Sequence, residues 1–314
     1  MNRIVHSTET DLSTGEIAEL LGVHASTVKR WFRGGARAGG RGRVPTTAGG
    51  HRRVSLDLAL RVARDRGHEV YLHRFDSEAV RVWRAMRALK RGRAESAQDL
   101  LIAWLKGRRT RLISHFLRHL ATVEDPVDPA VLDGVFGGFM QRVGDAWASG
   151  DLRISDERAA TREVSEAIYA LLDSLDRAEH EPDPGSPTAV VATVEPDQHI
   201  LGSLLVRLVL AQRGWNVEHL GTGLPIAEIV ATQRALGASL MCVSFTPPRG
   251  AADVHRLFEV AGSLSDPCHP CSLLVGGSAA QGARLPAHDH PFSDLRILAN
   301  LAELSDWLEG SPHA

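Results

Sequence analysis

Apolar residues recur along this chain with two different periods, and the change comes near residue 188. From residue 76 to 178 the spacing is helical. "SEAVRVWRAMRALKRG", "ESAQDLLIAWLKG" and "RRTRLISHFLRHLATV" each repeat apolar positions every three or four residues, and two longer stretches follow from near Asp128 and Ser155. Short turns marked by Gly or Pro separate them, which predicts an up-and-down helical bundle over residues 76–178. The acidic "EHEPDPGSPT" then reads as a linker. Beyond it, over residues 188–314, short continuous apolar runs alternate with helical ones. They are "AVVATV", a helix from Gln198, "NVEHLG", a helix from Pro225, "LMCVSFT", a helix from Ala251, "CSLLVGG", and "DLRILAN" with a closing helix. Buried strands separated by helices predict a doubly wound parallel sheet, whose ligand lies over the carboxyl ends of the strands.

Residues 1–70 carry a third pattern. Ser13 and Glu16 have the spacing of a capping box, after which Ile17, Leu20 and Leu21 share one helical face. A second helix is predicted from Ser26 or Thr27, with Val28, Trp31 and Phe32 inward and Lys29, Arg30 and Arg33 outward. Two short helices joined by a tight turn, the second with a basic outer face, make a helix-turn-helix. The glycine-rich "GARAGGRGRVPTTAGGHRRVS" that follows reads as a β-hairpin wing turning at Gly49-Gly50. It would aim Arg43, His51, Arg52 and Arg53 at phosphates; a solvated basic loop is the plainer alternative. The run "TGEIAELLGV", then "TVKRW", then "GGHRR", resembles the MerR-type winged helix. That resemblance implies binding to double-stranded promoter DNA through Ser26, Thr27, Lys29, Arg30 and Arg33, with the wing residues alongside.

Charge supports this division. The net formal charge of -2 conceals 24 Lys/Arg against 11 Asp/Glu in the first 120 residues, and 12 against 27 afterwards. A basic front half points to a polyanion and an acidic back half does not. No apolar run spans a bilayer and the polar start lacks a signal-peptide core, so a cytoplasmic protein without a membrane partner is expected. Three cysteines make no disulfide scaffold.

The chemistry concentrates at the predicted strand ends. In "EPDQHILGSLL" His199 sits where a buried strand turns into a helix, with Asp197 before it and Gly202 after it. Ser244 ends the third strand of this region and Gly276-Gly277 the fourth. A strand-end histidine taken alone is usually a satisfied structural residue. Together these elements resemble the D-x-H-x-x-G, S-x-L and G-G signature of base-off/His-on cobalamin-binding domains, which have a flavodoxin-like or Rossmann-like sheet. The resemblance implies His199 as the lower axial cobalt ligand, with Asp197 holding its other ring nitrogen. It implies a slot for the cofactor's nucleotide tail lined by Gly202, Ser244, Gly276 and Gly277. Thr246 stands where the signature has leucine.

The helical bundle resembles the cap over the upper face of cobalamin. Trp147 and Glu157 meet its W-x9-E-H pattern, while Arg158 replaces the final histidine. Winged helix, helical cap and cobalamin domain in this order resemble the CarH/LitR family of light-responsive repressors. The implied function is an adenosylcobalamin-dependent transcriptional regulator, bound to DNA in the dark as an oligomer, a tetramer by resemblance, and released when light cleaves the cobalt–carbon bond. Trp147 and Glu157 would then meet the adenosyl group. Some relatives carry a histidine directly after the tryptophan, whereas this chain has Ala148; His115 and His119 are the nearest other imidazoles by domain. Two other functions are compatible with the motifs: a light-independent sensor of cobalamin or another tetrapyrrole, and a corrinoid methyl carrier. No nucleophile–base constellation or phosphate loop is apparent, so an enzyme is not expected. Cys268 and Cys271 lack a second pair for zinc, and the "HDH" at 288–290 reads as a solvated loop.

Overall fold

The computed structural model describes residues 11–32, 53–68, 70–123, 127–178, 185–287 and 289–310. The chain forms two compact units, residues 1–100 and 101–314.

In the first unit, α1 (Thr14–Leu21) starts as its sequence dictates. The Glu16 amide donates to Ser13 Oγ (3.2 Å) and the Ser13 amide to Glu16 Oε2 (2.8 Å), satisfying two free N–H groups at the helix start. Gly22, at φ +63°, ends the helix in the left-handed conformation that glycine adopts without penalty. The second helix, α2 (Ala25–Trp31), begins slightly earlier than its serine and threonine indicate. His24 is the cap: its Nδ1 accepts the Ser26 amide at 3.3 Å, so an imidazole takes the place of a hydroxyl. Ile17, Leu20 and Leu21 of α1 and Val28 and Trp31 of α2 are buried, while Lys29 and Arg30 are exposed. Strands β1 (Asp11–Ser13) and β2 (Arg53–Ser55) pair antiparallel. Helices α3 (Leu56–Asp65) and α4 (Ala79–Leu89) follow. The expected hairpin wing, with Arg43, His51 and Arg52, lies outside the described residues, as does Arg33 of the second helix's outer face.

Helix α5 (Glu95–Lys106) crosses the boundary into the second unit, where α6 (Arg111–Val123) follows. Next come the short α7 (Pro129–Val131), a π-helical turn over Leu132–Gly137, α8 (Gly138–Ala148) and the long α9 (Ile154–Ala178). Trp104, Phe116, Phe136 and Phe139 fill the bundle core, with Trp104 and Phe116 packed edge to face at 5.9 Å. One carboxylate is buried there: Glu163 accepts the Ser114 hydroxyl at 2.9 Å and pairs with Arg162 at 3.0 Å.

The sheet contains β3 (Thr188–Val194), β4 (Asn216–Leu224), β5 (Leu240–Ser244), β6 (Ser272–Gly276) and β7 (Leu295–Ile297). They lie in the order β4-β3-β5-β6-β7, all parallel, with α10 (Leu201–Ala211), α11 (Ile226–Leu236), α12 (Ala251–Leu264) and α13 (Leu301–Gly310) as crossover and closing helices. This is the doubly wound, flavodoxin-like order, and its switch point falls between β3 and β5. Continuous apolar runs in β3 and β5 follow from burial on both faces. The bundle rests on this domain through α9 against α10 and α7 against α13. Asp133 of the π-helical turn fastens the second contact by accepting the Leu301 amide at 2.9 Å.

Candidate functional site

Helix α10 begins at Leu201, three residues later than its apolar spacing predicts, and Asp197 organises the residues before it. One carboxylate oxygen of this buried side chain accepts both the His199 amide (2.9 Å) and His199 Nδ1 (2.8 Å). The other accepts the Thr246 amide at 2.9 Å, across the switch point from the end of β5. Residues 198–200 form a loop at the carboxyl end of β3.

The consequence for the imidazole is specific. With Asp197 accepting at Nδ1, that nitrogen carries the proton and Nε2 keeps its lone pair. Because the His199 side chain is 61% exposed while that of Asp197 is 2% exposed, a buried carboxylate presents a basic nitrogen to an open face. Thr193 braces the arrangement from β3, donating its hydroxyl to the Asp197 carbonyl (3.2 Å) and accepting the Gly223 amide (3.3 Å). Sequence reasoning missed Thr193, although a polar residue near the end of an otherwise apolar strand was the available signal.

Beside this loop lies a narrow slot of about 160 Å³ between α10 and the ends of β5 and β6. Gly202, Ser244, Gly276 and Gly277 line it, which brings together four positions read from the sequence. A Cβ at Gly202 would lie 2.7 Å from Ser244 Oγ, so the slot is open only because residue 202 has no side chain. Gly277 is required by the chain itself: it has φ +94°, and a Cβ there would approach the Phe245 carbonyl oxygen to 2.2 Å. Thr246 contributes its backbone N–H to Asp197, a bond that leucine would make equally well. Asp133 and Asn300 also line the slot, and neither carried a sequence signal. Burial raises the Asp133 carboxyl, and the amides of Leu301 and Ala302 offset this only in part.

On the bundle, Trp147 ends α8 with 51% of its surface exposed, an unusual state for so large an apolar side chain. Glu157, in the first turn of α9, accepts the Thr161 hydroxyl at 2.9 Å and lies 3.6 Å from the exposed Arg158. His219 of β4 meets Ser203 at 3.0 Å; burial, with Arg207 nearby, pushes it down to about 4. Cys268 is exposed and Cys271 buried. Among the described residues no group of three or more His, Cys, Asp or Glu is placed to hold a metal ion.

These features fit a corrinoid: a single oriented imidazole nitrogen for cobalt, and beside it a slot kept open by small residues. Residues 96–172, the bundle, match the family model described as a B12 binding domain. The structure is similar to the monomethylamine corrinoid protein of Methanosarcina barkeri, with a TM-score of 0.51 at 16% identity, covering 69% of this chain and 99% of that one. The second unit therefore has the flavodoxin-like fold of cobalamin-binding proteins, with a helical bundle beside the sheet. By sequence, the chain is 26% identical over 157 residues to the HTH-type transcriptional repressor CarA of Myxococcus xanthus, matching 50% of this chain and 49% of that protein. It is also 28% identical over 105 residues to methionine synthase of Mycobacterium tuberculosis, or 33% of this chain and 9% of the enzyme. The match thus spans at most about half the length of these curated relatives. The bundle match and the CarA relative together support the resemblance to a CarH-type cobalamin-binding regulator. Among the described residues no helix is long and apolar enough to cross a membrane.

Proposed function

We propose that this protein is a cobalamin-sensing transcriptional regulator, a repressor of the CarH type. The observation that carries the reading is His199, held at Nδ1 by a buried carboxylate on an exposed face, so that Nε2 would be available to bind the cobalt of a corrinoid. Gly202, Ser244, Gly276 and Gly277 would receive the nucleotide tail. Trp147, Glu157 and Arg158 of the cap would face the upper ligand, and a half-exposed tryptophan is what such a face requires. Adenosylcobalamin held here would supply a cobalt–carbon bond that light can break. The protein's part would be mechanical, because α9 packs on α10 of the sheet domain and Trp147 would bear on the ligand from the bundle side. Loss of the group against Trp147 would let the two layers shift.

Output to DNA is assigned to the first unit, through Ser26, Thr27, Lys29 and Arg30 of α2, Arg53 of β2, and Arg33, Arg43, His51 and Arg52. Single helix-turn-helix modules bind weakly, so a tetramer in the dark would multiply contacts and its dissociation by light would release the promoter. The protein carries out no catalytic turnover in this reading. A methyl carrier would have no use for the basic helix pair.

The test is the visible spectrum of protein loaded with adenosylcobalamin in darkness, desalted, and read before and after green light, with His199→Ala alongside. Retained cofactor whose spectrum changes irreversibly in light is expected, with retention lost or greatly weakened in the variant. Failure of the unsubstituted protein to retain cofactor would overturn the cobalamin reading. Retention with no response to light would reduce it to a light-independent sensor.

A further inference from the structure

Helix α4 and the turn after it are strongly cationic in sequence. Residues 79–94 contain Arg81, Arg84, Arg87, Lys90, Arg91 and Arg93 and not one acidic residue. Four of these arginines, 84, 87, 91 and 93, line a groove of about 450 Å³ within the first unit, together with Leu12, Glu16, Trp83 and Ala88. Among the described residues that line the groove, Glu16 is the one carboxylate, and it is already committed. It bridges Arg87 at 2.8 Å, lies 3.7 Å from Arg53 and closes the capping box of α1. Burial raises the Glu16 carboxyl, but the hydrogen bonds from Ser13 and Arg87 outweigh it and keep the group ionised.

One wall is rigid. The Arg87 guanidinium lies 4.9 Å from the centre of the Trp83 ring while it bridges to Glu16, so α4 is fixed to the start of the helix-turn-helix. Arg91 and Arg93, exposed at the mouth, add charge that Glu16 does not balance. A groove whose guanidiniums outnumber its carboxylates four to one, anchored on the first helix of a DNA-binding motif, suits the phosphates of a nucleic acid backbone.

We propose that the groove between α4 and the start of α1 holds backbone phosphates of bound duplex DNA, outside the helix-turn-helix and its wing. The proposal rests on the DNA-binding reading above and adds a second, sequence-independent contact to it. Its signature is electrostatic, since each phosphate contact contributes about 0.9 to the steepness of log K against log salt.

The experiment titrates a mixed-sequence duplex several helical turns long with full-length protein, loaded with adenosylcobalamin in darkness, over a range of salt concentrations. It compares the unsubstituted chain, the double variant Arg91→Gln/Arg93→Gln, and Arg234→Gln on α11 as a charge control. Both target arginines are exposed, so the fold should be retained, and circular dichroism checks this. The double variant is expected to bind more weakly at low salt with a slope shallower by roughly one to two, while the control is unchanged. Equal slopes for the double variant and the unsubstituted chain would overturn the groove contact and leave DNA binding intact. Equal slopes with an altered sedimentation coefficient would assign the groove to contact between copies, which also overturns it. Absence of binding by the unsubstituted chain would overturn the DNA reading and the groove with it.

Discussion

Gly202 and Gly277 of the slot have different reasons for being glycine, and substitution separates them. At Gly202 the only close neighbour of an added Cβ is the Ser244 hydroxyl, which can rotate away. Gly202→Leu is therefore expected to fold and melt at least as high as the parent, because the helix loses its glycine, while cobalamin retention falls sharply. Co-elution of visible absorbance measures the second effect and a thermal melt the first. At Gly277 the obstacle is backbone, the Phe245 carbonyl, and the conformation is left-handed. Gly277→Ala should lower stability by about 2–3 kcal/mol before any ligand is considered, as read from a urea midpoint. Asp197, His199, Gly202, Ser244 and Gly276-Gly277 were legible as a motif, and the structure brings their segments to one edge of the sheet. Asp133 was not, because it acts on the Leu301 amide, 168 residues further along the chain.

At the scale of elements, the helix starts show where local rules suffice. Ser13 and Glu16 cap α1 as their spacing requires, since both partners lie within one turn. The start of α10 escaped the same reasoning because Asp197, four residues before the helix, holds His199 by its amide and its ring and is itself tied to Thr246 of a distant strand end. Helix α13 is a stronger case, since its first amide is capped by Asp133, 168 residues earlier in the chain. Asp133→Ala is expected to cost about 1 kcal/mol, while Asp133→Asn, which keeps an acceptor oxygen, should cost only a few tenths. Urea denaturation of the two variants side by side checks this, and equal losses would show that α13 does not depend on the cap.

For the whole molecule, acid stability is expected to depend partly on a half-buried imidazole. His219 has its folded value pushed down to about 4 from an ordinary 6.5, so the unfolded chain binds more protons between these limits. Stability should therefore be fully present above about 6.5 and decline as pH falls toward 4. His219→Gln should flatten that decline. Urea midpoints at neutral pH and at pH values within the window measure it, and an unchanged pH slope in the variant would mean that other groups dominate.

The amino-acid sequence by itself determined the order of helix pair, bundle and sheet, because periodicity and burial are local properties of a segment. It also placed His199 at a strand end, since a buried run must stop where polar residues begin. Only the tertiary structure decided the strand order β4-β3-β5-β6-β7, which puts the ends of β3 and β5 side by side so that Asp197 can join His199 to Thr246. Only the tertiary structure opened the slot at Gly202 and closed α4 against α1 through Arg87 and Glu16. These features depend on distances between residues far apart in the chain. Such distances are set when layers pack, and no run of neighbouring residues encodes them.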